Sequence, residues 1–256
     1  MQPVLWALQT GRCGKPGEVQ IIPAVPRQLA NRLAAREFDA AIVPVFEYFR
    51  HPGLYTYVPG PVIGARGAVL SVALFASAPI ETLHTVYLDA SSLTSVHLFK
   101  VLAAEMGLRI NYRDTAEHPV PRPLPPGEGW VVIGDPAIAE LNRHPYFLDL
   151  GVAWEKLTGL PFVFAAWLVP NGVNQPRLTP LLQESMDIGA AHLPEVARQS
   201  ARQFNVTPDF ALKYFRENLY YHLGEKELAG WQEFGRLLYK HGLIEQPTPL
   251  RAYAAQ

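Results

Sequence analysis

One stretch of this chain constrains its fold more than any other. It runs from Leu148 to Trp167 and reads LDLGVAWEKLTGLPFVFAAW. The apolar spacing predicts a short amphipathic helix over 151–158, which the glycine at 159 ends. The following segment, 162–167, is apolar at every position. Such a strand is typical of a sheet that is covered on both faces, as in a parallel sheet packed between helices.

The rest of the chain alternates between strand and helix patterns. Strands are predicted over 19–25, 39–43, 55–75 with breaks, 85–89, 108–112 and 130–133, and helices over 26–37, 44–50, 92–106 and after 135. From about Pro176 the pattern is helical to the end of the chain. This alternation predicts an α/β fold with parallel sheets, crossover helices and a helical C-terminal part.

Two apolar segments are candidates for strands that cross between two lobes. They are Leu70–Phe75 and Phe162–Trp167. If both cross, residues 1–71 and 165–256 form a discontinuous outer lobe, and residues 72–164 form an inner lobe of small-domain size. A single α/β sheet with both segments as central strands is the alternative, and periodicity alone does not separate the two.

The bulk properties exclude several classes of protein. The formal net charge of −1 gives no electrostatic reason to expect nucleic acid as a partner. A single cysteine, Cys13, excludes an internal disulfide and favours a reducing compartment. The sequence has neither a signal-peptide pattern nor a long apolar run, so we expect a cytoplasmic location and no membrane partner.

The strongest candidate for a binding segment is DASSLTS, residues 89–95, which lies between a strand and a helix. Ser91 or Ser92 is a natural N-cap, and Thr94 and Ser95 fall in the first turn. Free backbone N–H groups at a helix start attract carboxylates. Plain capping without a ligand is the simpler interpretation, but the segment has more hydroxyls than a cap needs.

Two further positions are candidates for ligand contacts. Gly134 and Asp135 follow an apolar strand, and open α/β sheets bind ligands beyond the carboxyl ends of their strands. An aspartate N-cap after a glycine turn explains the same residues equally well. Ser71 begins an apolar strand and is either an incidental hydroxyl or a ligand contact.

Metals and cofactors have little support in the sequence. The eight histidines show no metal-ligand spacing, and the glycine patterns of nucleotide-binding loops are missing. We therefore predict neither a metal nor a cofactor.

Three segments together resemble one known family. They are L-D-L-G-x-x-W-x-x-x-T-G-x-P-F-V-F-A-x-W at 148–167, D-x-S-S-x-T-S at 89–95 and I-G-D-x-A at 133–137. They are similar to the chorismate dehydratase family of the futalosine menaquinone pathway. The resemblance implies the two-lobed fold of type II periplasmic solute-binding proteins, with the substrate in the cleft between the lobes. It also favours Ser71, Ser91, Ser92, Thr94, Ser95, Gly134 and Asp135 as substrate contacts.

The resemblance further implies a lyase that removes water from chorismate to give 3-[(1-carboxyvinyl)oxy]benzoate. The ring proton at C3 leaves together with the C4 hydroxyl, and fixed donors stabilise the charge that develops on a carboxylate. The catalytic base stays unassigned, and a carboxylate of the substrate itself is one candidate. The alternatives are the sister enzyme that converts cyclic dehypoxanthinylfutalosine and a non-catalytic protein that binds small carboxylates.

The chain departs from the family pattern at two places. Val45 stands where V-P-V-F-E-Y at 43–48 matches the family's I-P-S-x-E-Y, so one hydroxyl is lost. The family also has an N-terminal strand that ends in a Tyr-x-Asn element, whereas this sequence starts inside that region. We expect either that the natural polypeptide starts upstream of Met1 or that this version is impaired in activity.

Overall fold

The computed structural model describes residues 3–15 and 17–255, which form two β-sheets surrounded by helices. The strands are β1 (Ala41–Pro44), β2 (Tyr55–Ala65), β3 (Val72–Ala76), β4 (Thr85–Leu88), β5 (Asn111–Asp114), β6 (Glu128–Ile133), β7 (Tyr146–Asp149), β8 (Phe162–Pro170) and β9 (Tyr220–His222). The helices are α1 (Pro3–Gln9), α2 (Pro26–Ala34), α3 (Phe46–Arg50), α4 (Thr94–Glu105), α5 (Asp135–Glu140), α6 (Leu150–Thr158), α7 (Leu178–Ala191), α8 (Leu193–Phe204), α9 (Pro208–Lys213) and α10 (Glu225–Lys240). A 3-10 turn lies at Ile80–Thr82 and a π-helical turn at Tyr214–Asn218.

The two sheets differ in composition and direction. The four-stranded sheet has the order β1-β8-β2-β9 and is antiparallel throughout. The five-stranded sheet has the order β5-β4-β6-β3-β7, in which β4 runs parallel to β5 and β6 while β3 is antiparallel to β6 and β7. The chain enters the five-stranded sheet between Ala65 and Val72 and leaves it between Asp149 and Phe162. The mixture of sheets and helices confirms the predicted α/β class.

The direction predicted for the strand at 162–167 is wrong. Strand β8 is buried at eight of its nine positions, as its apolar sequence indicates. It nevertheless runs antiparallel to both of its neighbours, with Ile42 opposite Trp167 and Tyr57 opposite Leu168. An apolar run reports that both faces of a strand are covered, and it carries no information about the direction of the neighbouring strands.

Two other secondary-structure predictions fail. Residues 19–25 form no strand, and Val19 and Val25 are largely exposed. Pro23 lies inside this segment and removes a donor that a sheet ladder would need. In the C-terminal third, β9 interrupts the helices and pairs with β2, so Tyr220 and Tyr221 lie on a strand and not on a helix.

An aromatic cluster fills the core where the two sheets meet. Trp154 of α6 packs edge-to-face on Phe162 of β8, and Phe234 of α10 contacts both rings. Gly230 of α10 allows this close packing, because a Cβ at that position would stand 2.0 Å from the carbonyl oxygen of Pro161. None of the helices within residues 3–15 and 17–255 is long and apolar enough to span a bilayer.

Candidate functional site

The structure brings the three predicted binding segments to one edge of the five-stranded sheet. Strand β3 is antiparallel to β6 with Val72 opposite Ile133, so the start of β3 adjoins the end of β6. Strand β4 is parallel to β6, which puts its end at the same edge. Backbone bonds tie the segments together: the Gly134 amide donates to the Ser71 carbonyl at 2.7 Å. The Ile133 amide lies 3.4 Å from a carboxylate oxygen of Asp89.

The loop after β4 is shaped by Asp89. Its carboxylate accepts from the backbone amide of Ser91 at 2.9 Å and from the Ser91 hydroxyl at 2.6 Å. The predicted cap is therefore wrong, because Leu93 occupies the N-cap position of α4 and no side chain caps the first turn. Ser91 is exposed, while Ser92 is buried just before the helix.

The first turn of α4 contains the two remaining hydroxyl residues. Thr94 and Ser95 are both buried there, as the sequence predicts for their position. The Thr94 hydroxyl accepts a hydrogen bond from the Phe46 amide at 3.1 Å, across the boundary between the two sheets. A hydroxyl that accepts in this way keeps its own proton to donate. The uncapped N–H groups of the turn carry the positive end of the helix dipole.

Two more contacts cross the same boundary between the sheets. The Arg27 guanidinium of α2 donates to the Ala90 carbonyl at 3.0 Å. The Phe46 ring stacks on His97 of α4, with ring centroids 3.5 Å apart. Burial lowers the pKa of His97 to about 4, so this imidazole stays uncharged near neutral pH.

Ser71 has a partner that the sequence did not indicate. Its hydroxyl lies 2.7 Å from the Tyr214 hydroxyl, and Tyr214 begins the π-helical turn. Burial raises the pKa of Tyr214 to about 12, and the negative charges of Asp135 and Asp149 act in the same direction. Tyr214 therefore remains a phenol and a hydrogen-bond donor. Turns of this type are frequent at functional sites.

A second phenol lies beside the first. Burial raises the pKa of Tyr221 well above its ordinary value, and the neighbouring Tyr214 adds to this shift. The Tyr221 hydroxyl is buried and has no hydrogen-bond partner within the residues that the structure describes. A buried hydroxyl without a partner costs free energy, so it is a donor that a bound ligand would satisfy.

Gly134 and Asp135 form the turn from β6 into α5. Gly134 has φ +69°, a left-handed conformation that favours glycine, and its carbonyl accepts from the amides of Ala137 and Ile138. Asp135 is the first helical residue and not the cap. Desolvation raises the pKa of its carboxyl group. Asp135 is thus a stronger base than an ordinary aspartate.

The residues of V-P-V-F-E-Y have mainly structural contacts. Glu47 is fully buried and accepts from the Tyr55 hydroxyl at 3.1 Å, with His51 at 3.2 Å. Burial raises the pKa of Glu47, and the nearby His51 opposes this shift. The Tyr48 hydroxyl accepts from the Arg251 amide at 2.9 Å and so anchors the C-terminal segment.

The L-D-L-G motif builds the connection between the two sheets. The buried carboxylate of Asp149 accepts from the amides of Val69 and Leu70 in the segment between β2 and β3, at distances down to 2.7 Å. It also accepts from the amides of Gly151 and Val152 at the start of α6. One side chain therefore links the first crossing between the sheets, at residues 66–71, to α6, which lies within the second crossing.

Gly151 and Asn218 complete this connection. A Cβ on Gly151 would stand 2.4 Å from the Gly67 carbonyl oxygen, so only glycine fits against the crossing segment. The Asn218 side chain donates to the Ala68 carbonyl at 2.9 Å, which gives Asn218 a structural role in the crossing segment.

Cavities also occur away from the three predicted binding segments. One of about 240 Å³ lies beside Tyr48 and Tyr55, and one of about 420 Å³ lies beside Trp130 and Arg143. Within residues 3–15 and 17–255, histidine, cysteine, aspartate and glutamate side chains form no group of three placed to hold a metal ion.

The family model described as menaquinone biosynthesis matches residues 1–240. The chain belongs to this menaquinone-biosynthesis family. It is 31% identical over 237 residues to the chorismate dehydratase of Thermus thermophilus, and the match covers 86% of both chains.

Solved structures of other proteins share the fold. A protein from Archaeoglobus fulgidus is 14% identical and superposes with a TM-score of 0.72, covering 94% of both chains. The periplasmic aliphatic sulphonate binding protein SsuA from Escherichia coli is 17% identical, with a TM-score of 0.62 over 99% of this chain and 91% of that one. These likenesses confirm the predicted periplasmic-binding-protein-like fold.

Proposed function

We propose that this protein is a lyase that dehydrates chorismate to 3-[(1-carboxyvinyl)oxy]benzoate in menaquinone biosynthesis by the futalosine route. The observation that carries the proposal is the 31% identity to a chorismate dehydratase along 86% of the chain. Family membership over residues 1–240 supports it, because that family is defined by menaquinone biosynthesis. We also infer a cytoplasmic location, since the single Cys13 favours a reducing compartment.

The substrate is proposed to lie in a cleft between two lobes. We assign residues 1–71 and 165–256 to the outer lobe and residues 72–164 to the inner lobe. The contacts of Thr94 with Phe46 and of Arg27 with Ala90 support a cleft at this boundary, since each joins the two sides.

Each predicted site residue then has a defined role in substrate binding. The uncapped first turn of α4 receives one carboxylate of chorismate, with Ser91, Ser92, Thr94 and Ser95 as the surrounding hydroxyls. Ser71, held by Tyr214, donates to the substrate from the start of β3. Gly134 and Asp135 line the end of β6. Donors fixed before the reaction need no reorganisation as charge develops on the ring carboxylate.

The reaction needs one proton acceptor. The acceptor takes the proton from C3, the C–H electron pair moves into the ring, and the C4–O bond breaks. The departing oxygen takes up the proton from the acceptor and leaves as water. The enolpyruvyl carboxylate of chorismate is our preferred acceptor. Asp135 is the protein group that competes for this role, because desolvation raises the pKa of its carboxyl group.

Turnover of chorismate tests the proposal directly. The diene absorbance of chorismate should fall when the protein is added, and chromatography should show the aromatic product. Tyr214→Phe should lower kcat/KM by about tenfold, because Ser71 loses the partner that orients its hydroxyl. Tyr239→Phe, at an exposed tyrosine, is the matched control. Tight chorismate binding without product would instead support a non-catalytic carboxylate-binding protein.

A further inference from the structure

A cavity separate from the proposed cleft, called the second cavity below, lies at the opposite end of the strands that carry the candidate site. Strand β3 begins next to Ser71 in the candidate site and ends next to Ser77, which lines the cavity of about 420 Å³. The two serines are roughly 20 Å apart at about 3.3 Å per strand residue. The cavity is therefore a separate place on the molecule, and none of its lining residues belongs to the candidate site.

The apolar walls of this cavity are flat and stiff. They consist of the Trp130 ring, Leu124, and prolines that include Pro121, Pro123 and Pro145. Proline rings fix the backbone, and the loop is fastened to the sheet because the Ser77 hydroxyl donates to the Pro125 carbonyl at 2.6 Å. Such a surface suits a planar ring.

The charged groups of the cavity leave positive charge uncompensated. Glu140 is buried and contacts Arg122 at 2.8 Å and His144 at 2.8 Å. Arg143 approaches the same carboxylate only to 4.0 Å, and its side chain is 65% exposed. The two guanidinium groups of Arg122 and Arg143 thus face the single carboxylate of Glu140. With His144 uncharged, the net charge of this group is +1. An anionic ligand would pair with Arg143.

Trp130, which lines the cavity, also carries a donor without an acceptor. The indole N–H of Trp130 is buried and has no hydrogen-bond partner among residues 3–15 and 17–255. The Arg122 guanidinium lies over the same ring at 5.1 Å, so the ring already has a cation on one face. A ligand oxygen would satisfy the indole N–H.

We propose that this cavity binds a small aromatic monocarboxylate. The ring of the ligand lies against Trp130 and the proline walls, and its carboxylate pairs with the exposed guanidinium of Arg143 and accepts from the indole N–H of Trp130. The single surplus charge favours a monoanion over a dianion. This inference stands independently of the reaction proposed above.

Calorimetric titration with benzoate tests the proposal. Benzoate should bind saturably in the millimolar range, while benzamide, which has the same ring without the charge, should bind at least about tenfold more weakly. Arg143→Gln should weaken benzoate binding by at least about tenfold, because a charge-assisted hydrogen bond is lost. Arg109→Gln, at an exposed arginine outside the cavity, should leave it unchanged.

Trp130→Phe separates the indole donor from the packing of the ring. This variant keeps an aromatic wall and should still weaken benzoate binding, with thermal unfolding as the check that it folds. Saturating chorismate locates the benzoate: binding that persists in its presence supports the second cavity, and full displacement assigns the benzoate to the cleft. Absence of saturable binding, or equal affinity in Arg143→Gln and the wild type, would overturn the proposal.

Discussion

Thr94 is the residue on which the candidate site depends most directly. Its hydroxyl accepts from the Phe46 amide and keeps a proton for a ligand. Thr94→Val should weaken chorismate binding by about 1.5–3 kcal/mol, the usual contribution of a hydrogen bond to a charged group. Ser91→Ala should weaken it less, since the Ser91 hydroxyl is exposed and already bonded to Asp89.

Calorimetry measures both changes. Thr248→Val makes the same substitution at a half-buried threonine away from this segment and should have no effect. Unchanged affinity in Thr94→Val and Ser91→Ala would remove the segment from the site.

Glu47 offers a prediction on pH. Burial raises the pKa of its carboxyl group, so the folded state favours the protonated form. Protonated Glu47 therefore contributes to the free energy of unfolding. This contribution is fully present below the ordinary pKa of glutamate and is lost as pH rises through the raised pKa of the folded state. Glu47→Gln, which has no charge to bury, should therefore unfold at a higher temperature than the wild type at neutral pH. Thermal melts over a pH series should show this gap closing on acidification, and a constant gap would contradict the assignment.

The positions of some site residues could be predicted from the sequence, and those of others could not. Thr94 and Ser95 lie in the first helical turn because the change from strand to helix pattern can be recognised locally. Ser91 does not cap the helix, because its amide and hydroxyl both donate hydrogen bonds to the Asp89 carboxylate. Tyr214 reaches Ser71 from 143 positions further along the chain, and local patterns carry no sign of such a contact.

At the scale of elements, Asp149 has the largest structural task. Its carboxylate accepts from four backbone amides in two separate segments. Asp149→Ala leaves these buried donors unpaired and should lower the free energy of unfolding by about 3 kcal/mol. Asp187→Ala removes an exposed carboxylate that contacts only a glutamine side chain among the interactions described, and should change it by less than about 0.5 kcal/mol.

Urea denaturation measures this difference. A loss in Asp149→Ala no greater than that of the control would mean that the crossing segment is held by its other contacts, such as the bond from Asn218 to the Ala68 carbonyl.

Elements were predicted better than their arrangement. Most helices and strands lie within a few residues of the expected ranges, since periodicity and the glycine at 159 mark them locally. The direction of β8 was missed, because antiparallel partners 41–44 and 55–65 lie far away in sequence. Pairing over such distances depends on tertiary structure, which a single segment does not encode.

The whole molecule should respond to ligand by closing. A substrate that contacts both of the proposed lobes favours the conformation in which they are close together. Small-angle scattering should give a smaller radius of gyration with saturating chorismate than without it, and Thr94→Val should need more ligand for the same change. An identical profile under saturating ligand would count against the cleft.

The fold as a whole was predicted from the three segments that resemble the family. Composition and periodicity alone did not separate a single sheet from two lobes.

The strand order of the four-stranded sheet has a consequence for synthesis on the ribosome. Strands β1 and β2 do not pair with each other, because β8 lies between them. Both strands emerge early, and their shared partner follows the end of β2 by roughly 100 residues, on the order of 5–20 s at about 5–20 residues per second. Residues 72–149 contain every strand of the five-stranded sheet and complete that sheet first. The five-stranded sheet, in the middle of the chain, can thus form before the four-stranded sheet that contains the first two strands. Until β8 is synthesised, β1 and β2 lack their shared partner, and their apolar side chains are exposed to chaperones.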